Sequence, residues 1–159
     1  MQRFVHEGMV RGATMVGIGI NELEVGQKAV IVKTITAADI RQFGTLTGDL
    51  NPLHTDHAFA RRTPFGEPIA QGMFSASVIS ACIGSRLPGP GTIYLSQELR
   101  FLRPVKIGDT VIARIEVTEL IKEKNRVRLR TTLHNQRGEQ VIEGSALVVA
   151  PTGDHGRRD

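Results

Sequence analysis

The sequence has few of the residues that form disulfides or stack on ligands. It contains one cysteine, one tyrosine and no tryptophan in 159 residues. The single Cys82 cannot form a disulfide within the chain, which fits a reducing compartment, and we expect a cytoplasmic protein. Aromatic residues make up only 4% of the chain, and no basic run is interleaved with them. We therefore expect no nucleic-acid partner, although the net charge of +4 is compatible with an anionic ligand.

The chain also lacks a long apolar run. Residues 1–21 hold no apolar stretch followed by a cleavage site, so we expect no signal peptide. An uncharged stretch, Ile69–Ser85, is shorter than the roughly 20 apolar residues that a membrane span needs, and it carries four serines. We therefore expect no membrane segment. With this length and no internal repeat, the sequence predicts one domain.

The uncharged stretch predicts a helix over residues 72–85. Its apolar residues do not form one stripe but go round the helix, with only serine and glycine between them. A helix that is apolar on all sides is buried in a core or spans a membrane. We interpret it as a central helix that is buried all round. The alternative, a helix packed on one side of a sheet, would need a polar outer face, and none is visible.

The other elements follow from local patterns. A strand is predicted over residues 29–35, and a helix capped by Thr36 and Asp39 extends through Leu46 and ends at Gly48. After a Pro/Gly-rich connection the apolar pattern alternates, which is typical of strands. Strands are predicted over 92–102, 111–117, 127–133 and 141–149.

The arrangement of these strands follows from their turns and faces. Strands joined by short turns, such as the turn at Gly108 and Asp109, are expected to pair antiparallel. In the first of the four, the alternation places Ile93, Leu95, Leu99 and Phe101 together on an apolar face. The fold class is therefore α+β, with an antiparallel sheet curling over the central helix. Because exposed sheet edges are usually paired or covered, we expect a homodimer that joins two sheets.

A turn around Pro52 brings together the most unusual side chains, Asp49, Asn51 and His54. A carboxylate and an imidazole that meet at one water can act as general base and general acid, and histidine titrates near neutrality. The alternative is a structural role, because Gly-Asp and Asn-Pro are ordinary turn formers. Spacing alone favours this structural role.

Two further features lie on the predicted helix. Gly72 stands at its start, where free N–H groups favour negative charge and could form an oxyanion site, or where the glycine merely allows close packing. Ser80 lies two turns further on and could reach a site residue, but core serines usually bond a carbonyl one turn back. No G-x-S-x-G elbow is present, and nothing completes a zinc ligand set around His54 and His57, so we expect no metal.

Two motifs carry a family resemblance. GDLNPLHTD, residues 48–56, followed by IAQGMFSAS, residues 69–77, resembles the MaoC-like hydratases of the hot-dog fold, and among them the R-specific enoyl-CoA hydratases. The segment from Leu87 to Val111 is also similar to their middle part. The resemblance covers about residues 23–151. It leaves an N-terminal extension, 1–22, and a polar tail, 152–159, which is expected to be disordered.

The resemblance implies a fold, a reaction and a site. The fold is an α+β hot-dog, in which an antiparallel sheet wraps a long central helix in a homodimer or larger oligomer. The reaction is the reversible syn hydration of trans-2-enoyl-CoA to (R)-3-hydroxyacyl-CoA, with no metal or redox cofactor, since CoA belongs to the substrate. The resemblance implies that Asp49 and His54 are the catalytic pair and that the Gly72 amide donates to the thioester carbonyl. It also implies that Asn51 and Ser80 support the site.

The sequence departs from the family motif at one position, and the resemblance leaves other functions open. The family commonly has His before the glycine of the second motif, where this chain has Gln71. Rival functions are a dehydratase acting on acyl carrier protein, a non-catalytic acyl-CoA-binding hot-dog subunit, and a thioesterase. Among the basic residues, Arg86, Arg100 and Arg103 are candidates to contact the CoA phosphates.

Overall fold

The computed structural model describes residues 16–152. Most of the expected N-terminal extension, residues 1–15, and nearly all of the tail expected to be disordered, residues 153–159, therefore lie outside the described residues. Within residues 16–152 the chain forms five strands, three α-helices and two 3₁₀ turns, at Pro52–His54 and Lys122–Lys124. In chain order these are β1 (Lys28–Thr34), α1 (Ala37–Thr47), α2 (His57–Ala60), α3 (Gly72–Ser85), β2 (Ile93–Phe101), β3 (Thr110–Ile121), β4 (Arg126–His134) and β5 (Gln140–Val149).

The ends of α1 are set by local chemistry, as predicted. Thr36 is the N-cap, and its side chain and that of Asp39 form a reciprocal capping box. Lys33, at the end of β1, binds the same carboxylate, with 2.8 Å between Nζ and Oδ2. Gly48 ends the helix with φ 80°, a left-handed conformation that glycine adopts without strain. The loop that follows α1 therefore leaves the helix in a defined direction.

The five strands form one antiparallel sheet in the order β1-β3-β4-β5-β2. The prediction that the Gly108–Asp109 turn pairs β2 with β3 is wrong, because β2 lies beside β5 and β3 lies between β1 and β4. The connection from β2 to β3 crosses the end of the sheet, where buried Val105 accepts a hydrogen bond from Ala70 N at 2.8 Å. The two edges of the sheet are β1 and β2.

The helix α3 lies over β1, β3 and β4 and packs on them with one side. Its buried residues are Ser75, Ala76, Val78, Ile79, Cys82 and Ile83. The expectation that this helix is buried all round is wrong for the single chain, because its other side is exposed. That side carries Met73, which is 60% exposed, and the small residues Ser77, Ser80, Ala81 and Gly84. The small residues explain why no polar outer face was visible in the sequence.

A β-bulge changes the faces of β2. The register with β5 shifts between Tyr94 and Ser96, and one extra residue moves the neighbouring side chains to opposite faces. Tyr94 pairs with buried Val148, and Phe101 pairs with buried Ile142, so both face the helix side of the sheet. The predicted face of Ile93, Leu95, Leu99 and Phe101 is therefore wrong: Ile93 pairs with Val149 instead, on the opposite face. Ile93, Leu95 and Phe101 are exposed because β2 is an edge strand.

Residues 16–22 lie against the domain. Gly17 N donates to Pro90 O at 3.1 Å, and Ile18 N donates to Pro88 O at 2.8 Å. Ile18 and Ile20 pack against the hydrophobic core. Among the helices described for residues 16–152, none combines the length and the apolar content needed to cross a membrane.

Candidate active site

The loop after α1, which carries Asp49, is ordered by hydrogen bonds between residues two apart in the chain. Asp49 Oδ1 accepts from Asn51 N at 3.3 Å, and Asn51 Oδ1 accepts from Leu53 N at 3.1 Å. Pro52 begins the 3₁₀ turn that ends at His54. The side chain of Asn51 thus orders the turn between the acid and the imidazole.

The imidazole of His54 is held in one orientation. The residue is only 8% exposed, and its Nδ1 lies 2.8 Å from the carbonyl oxygen of Ile69. A carbonyl oxygen can only accept, so Nδ1 carries the proton of that bond. In the neutral ring Nε2 is then an acceptor, and it lies 3.8 Å from Asp49 Oδ2. The structure therefore brings the acid and the imidazole together with two acceptor atoms facing one another.

Gly72 is the first residue of α3. The cap residue Gln71 makes no side-chain cap bond, and no protein acceptor within residues 16–152 takes the Gly72 N–H. A Cβ at this position would lie 3.0 Å from Cε1 of Phe101. The glycine thus allows Phe101 to pack closely and leaves its amide able to bind an anionic oxygen.

His54 and Gly72 both line one cavity of about 300 Å³. Its wall is mainly apolar and consists of His54, Phe65, Ile69, Ala70, Gly72, Ser75, Phe101, Leu102, Arg103, Pro104, Val105 and Ile142. Of the three candidate arginines only Arg103 lines it, with Nη1 donating to Gln140 O at 2.7 Å. Arg100 pairs with Glu143 at 3.0 Å, and Arg86 lies at the far end of α3. An apolar cavity with a few polar groups at one end is typical of a small-molecule site.

Ser80 does not line this cavity. It lies on the exposed side of α3. Burial raises the pKa of Tyr94 to about 12 and that of Cys82 to about 11, so both stay protonated at neutral pH. Within residues 16–152, no group of three or more His, Cys, Asp or Glu side chains is placed to hold a metal ion.

Sequence reasoning missed one residue that shapes the site. Gly44 lies inside α1, and a Cβ there would come within 2.8 Å of Asp49 O. The glycine therefore allows the loop that carries Asp49 to pack back against the helix. A glycine in a helix interior costs about 1 kcal/mol relative to alanine, and that cost was the signal available in the sequence.

The fold and this site define the class of the protein. Residues 20–138 match the family described as MaoC like domain, and the chain belongs to that family. Its fold is the predicted hot-dog fold, as in the R-hydratase PhaJ1 from Pseudomonas aeruginosa in the unliganded form. That structure has 51% sequence identity and a TM-score of 0.81, with 85% of this chain and 86% of that chain covered.

Two curated relatives have a sequence identity to this chain that is close to that of the solved structure. The 3-hydroxybutyryl-CoA dehydratase of Methylorubrum extorquens is 48% identical over 82% of this chain and 82% of its own length. The (R)-specific enoyl-CoA hydratase of Rhodospirillum rubrum is 48% identical over 82% of this chain and 90% of its own length. The predicted family is therefore confirmed.

Proposed function

We propose that this protein is an R-specific enoyl-CoA hydratase, a hydro-lyase that adds water reversibly to trans-2-enoyl-CoA and forms (R)-3-hydroxyacyl-CoA. One observation carries the proposal: Asp49 Oδ2 and His54 Nε2 lie 3.8 Å apart, and His54 shares a cavity with the free N–H of Gly72. The names of the two curated relatives support it, since hydration and dehydration are one reaction in its two directions.

The pair suits the activation of one water. Asp49 Oδ2 and the neutral Nε2 of His54 are both acceptors, so a water between them donates one hydrogen to each. Its lone pairs then point away from both groups and towards the substrate. A positioned base of this kind contributes about 10²–10⁴-fold to a rate. The bond from His54 Nδ1 to Ile69 O keeps Nε2 available for this role.

Asp49, His54 and the Gly72 amide account for each bond and proton that changes in the reaction. The water oxygen bonds to C3 while one of its protons passes to the acid–imidazole pair. The C2–C3 π electrons move to the thioester oxygen, where the Gly72 N–H stabilises the enolate; one such donor is worth about 10²–10³-fold. The enolate then takes the proton back at C2 from the same side. Addition is syn because the pair lies on one face of the substrate, and no redox cofactor or metal takes part.

The remaining groups bind the substrate. The apolar wall of the cavity, including Phe65, Phe101 and Ile142, suits an acyl chain. Arg103, at the cavity, is placed to meet a phosphate of CoA. Ser80 and Tyr94 do not line this cavity.

The partner of the chain is a second copy. The edge strand β2 exposes Ile93 and Leu95, and α3 exposes Met73 at its start. An unpaired strand edge next to exposed apolar side chains favours pairing with another strand. We infer a homodimer in which β2 meets its equivalent, and we expect it in the cytoplasm.

Hydration of crotonyl-CoA tests the proposed function. We expect the enoyl absorbance to fall, the product to be oxidised by an R-specific and not an S-specific 3-hydroxyacyl-CoA dehydrogenase, and EDTA to have no effect. Asp49→Asn and His54→Ala should each lower kcat by about 10²–10⁴-fold, whereas His57→Ala, an exposed histidine three residues on, should not.

Other outcomes would favour other functions. Turnover of carrier-protein thioesters but not CoA thioesters would assign the dehydratase of acyl carrier protein. Release of free thiol would assign a thioesterase. Near wild-type rates in either variant of the pair would remove Asp49 and His54 from the mechanism.

A further inference from the structure

The segment 69–72 holds two parts of the proposed site. The carbonyl of Ile69 orients the His54 ring, and Gly72, whose N–H is the proposed oxyanion donor, lines the cavity. The segment is itself fixed to the β2–β3 connection, since Ala70 N donates to Val105 O and Ile69 pairs with Lys106 as an isolated bridge. One side chain of this segment, Gln71, has no part in the mechanism described above.

Gln71 is nearly fully buried and makes one side-chain hydrogen bond. It is 2% exposed, and its Nε2 donates to Ile40 O of α1 at 3.0 Å. Its Oε1 is buried without a partner among residues 16–152. A buried amide with an unsatisfied oxygen costs free energy that an apolar side chain would not. Such a departure from the packing rules is expected where function requires it.

The bond reaches α1, which directly precedes the loop that carries Asp49. A Cβ at Gly44 would lie 3.5 Å from Gln71 Nε2 and 2.8 Å from Asp49 O. The amide, the glycine and the backbone of the acid are therefore direct neighbours. Through Ile40 O, Gln71 connects the segment that orients His54 to α1, the helix that precedes the Asp49 loop.

We propose that Gln71 is a positioning residue that sets the separation of Asp49 from His54 and from the Gly72 amide. The proposal rests on the proposed function for its kinetic readout. Without the bond, α1 is free to move relative to the segment 69–72 while the hydrophobic contacts of the two remain. Misplacement of catalytic groups by about 1 Å can cost on the order of 10²-fold in rate.

Two substitutions at this position separate the hydrogen bond from side-chain volume. Gln71→Leu keeps much of the volume and removes the donor. We expect kcat to fall by about 10–100-fold, with KM changed by less than about threefold. Gln71→His restores an N–H donor, and we expect its kcat to return to within about threefold of wild type. A purely structural role would lower thermal stability in Gln71→Leu without this difference between leucine and histidine.

A matched control removes a comparable bond far from the site. Asn125 Nδ2 donates to Ala150 O at 2.8 Å, at the opposite end of β4 from the cavity. Asn125→Ala should lower the melting temperature but leave kcat within about twofold. The proposal is overturned if Gln71→Leu keeps a wild-type kcat, if Asn125→Ala loses as much, or if Gln71→His is no better than Gln71→Leu.

A second readout does not depend on activity. In ¹H–¹³C spectra of the histidine rings, the His54 Cε1–Hε1 signal should move in Gln71→Leu and stay in place in Asn125→Ala. An unmoved signal in Gln71→Leu contradicts the positioning role. If the wild-type protein hydrates no enoyl-CoA, the proposed function fails, and the His54 signal still decides the role of Gln71.

Discussion

At the scale of single residues, Gly44 is unusual because an alanine would suit its helix better. Alanine in a helix interior is favoured over glycine by about 1 kcal/mol. Here the Cβ would meet the backbone oxygen of Asp49 at 2.8 Å, and backbone cannot move aside as a side-chain end can. At Gly72 the opposing atoms belong to the ring of Phe101 at 3.0 Å, which a small rotation can relieve.

We predict that Gly44→Ala displaces Asp49 and lowers hydratase kcat by about tenfold or more, since the reacting groups lose their alignment. The free energy of unfolding should not rise by the roughly 1 kcal/mol that the helix propensity of alanine over glycine would give by itself. Steady-state kinetics with crotonyl-CoA and thermal unfolding measure the two effects. Thr45→Ala, on the exposed side of the same helix, is the control and should keep its rate. A Gly44→Ala variant with wild-type kcat would show that the loop can shift without moving the carboxylate.

Residue-level prediction from sequence worked where a motif is contiguous. Asp49, Asn51 and His54 lie within one turn, so their proximity follows from local geometry. Gln71 could not be assigned in the same way, because its role depends on α1 approaching the start of α3 across about thirty residues of chain. That approach is a tertiary contact, and a glutamine carries no signal for it. Gly44 carries a signal in the cost of a glycine inside a helix, but that cost does not identify the backbone of Asp49 as the group it accommodates.

At the scale of elements, α1 shows why helix boundaries are predictable. Its capping box and its glycine terminator act within a few residues. The hydrogen bond from Lys33, with those from Thr36, holds the pKa of Asp39 below its ordinary value. Asp39 therefore stays charged to lower pH in the folded state than in the unfolded chain, and the folded state is stabilised above the unfolded pKa.

We predict that Asp39→Asn lowers the free energy of unfolding by about 0.5–1 kcal/mol at pH 7, the usual scale for a charge at a helix N-terminus. The wild-type advantage should be present above the unfolded pKa of the carboxyl and disappear as pH falls through the folded pKa. Urea unfolding at pH 7 and in the acid range measures it. A constant difference at all pH values would mean that the stabilisation does not come from the charge.

Some features of the strand β2 could not be predicted from the local sequence pattern. Its alternation was visible, but the bulge at Leu95 and the pairing with β5 were not. A bulge depends on the partner strand, and the partner is chosen by the path of the β2–β3 connection. The exposure of Ile93 and Phe101 follows from the edge position, which no local pattern encodes.

At the scale of the whole molecule, two apolar features lack a partner in the single chain: the open side of α3 and the free edge of β2. The start of α3 meets β2, where Gly72 packs against Phe101. The sequence predicted a helix apolar on all sides, whereas the single chain covers only one side. A second copy placed against β2 would cover both the edge and the adjoining side of the helix. The proposed dimer would give the open side of the helix, with its small residues, a partner that the single chain does not provide.

We predict that Leu95→Glu, at the bulge of β2, weakens the dimer, because the pairing of the edge strands would take the new carboxylate out of water. Size-exclusion chromatography with light scattering at micromolar concentration should give a dimer for wild type and a monomer for the variant. Val32→Glu is the matched control, since Val32 is 63% exposed on the other edge strand, β1. A wild-type monomer would remove the dimer, and a monomer from Val32→Glu alone would place the contact at β1 instead of β2.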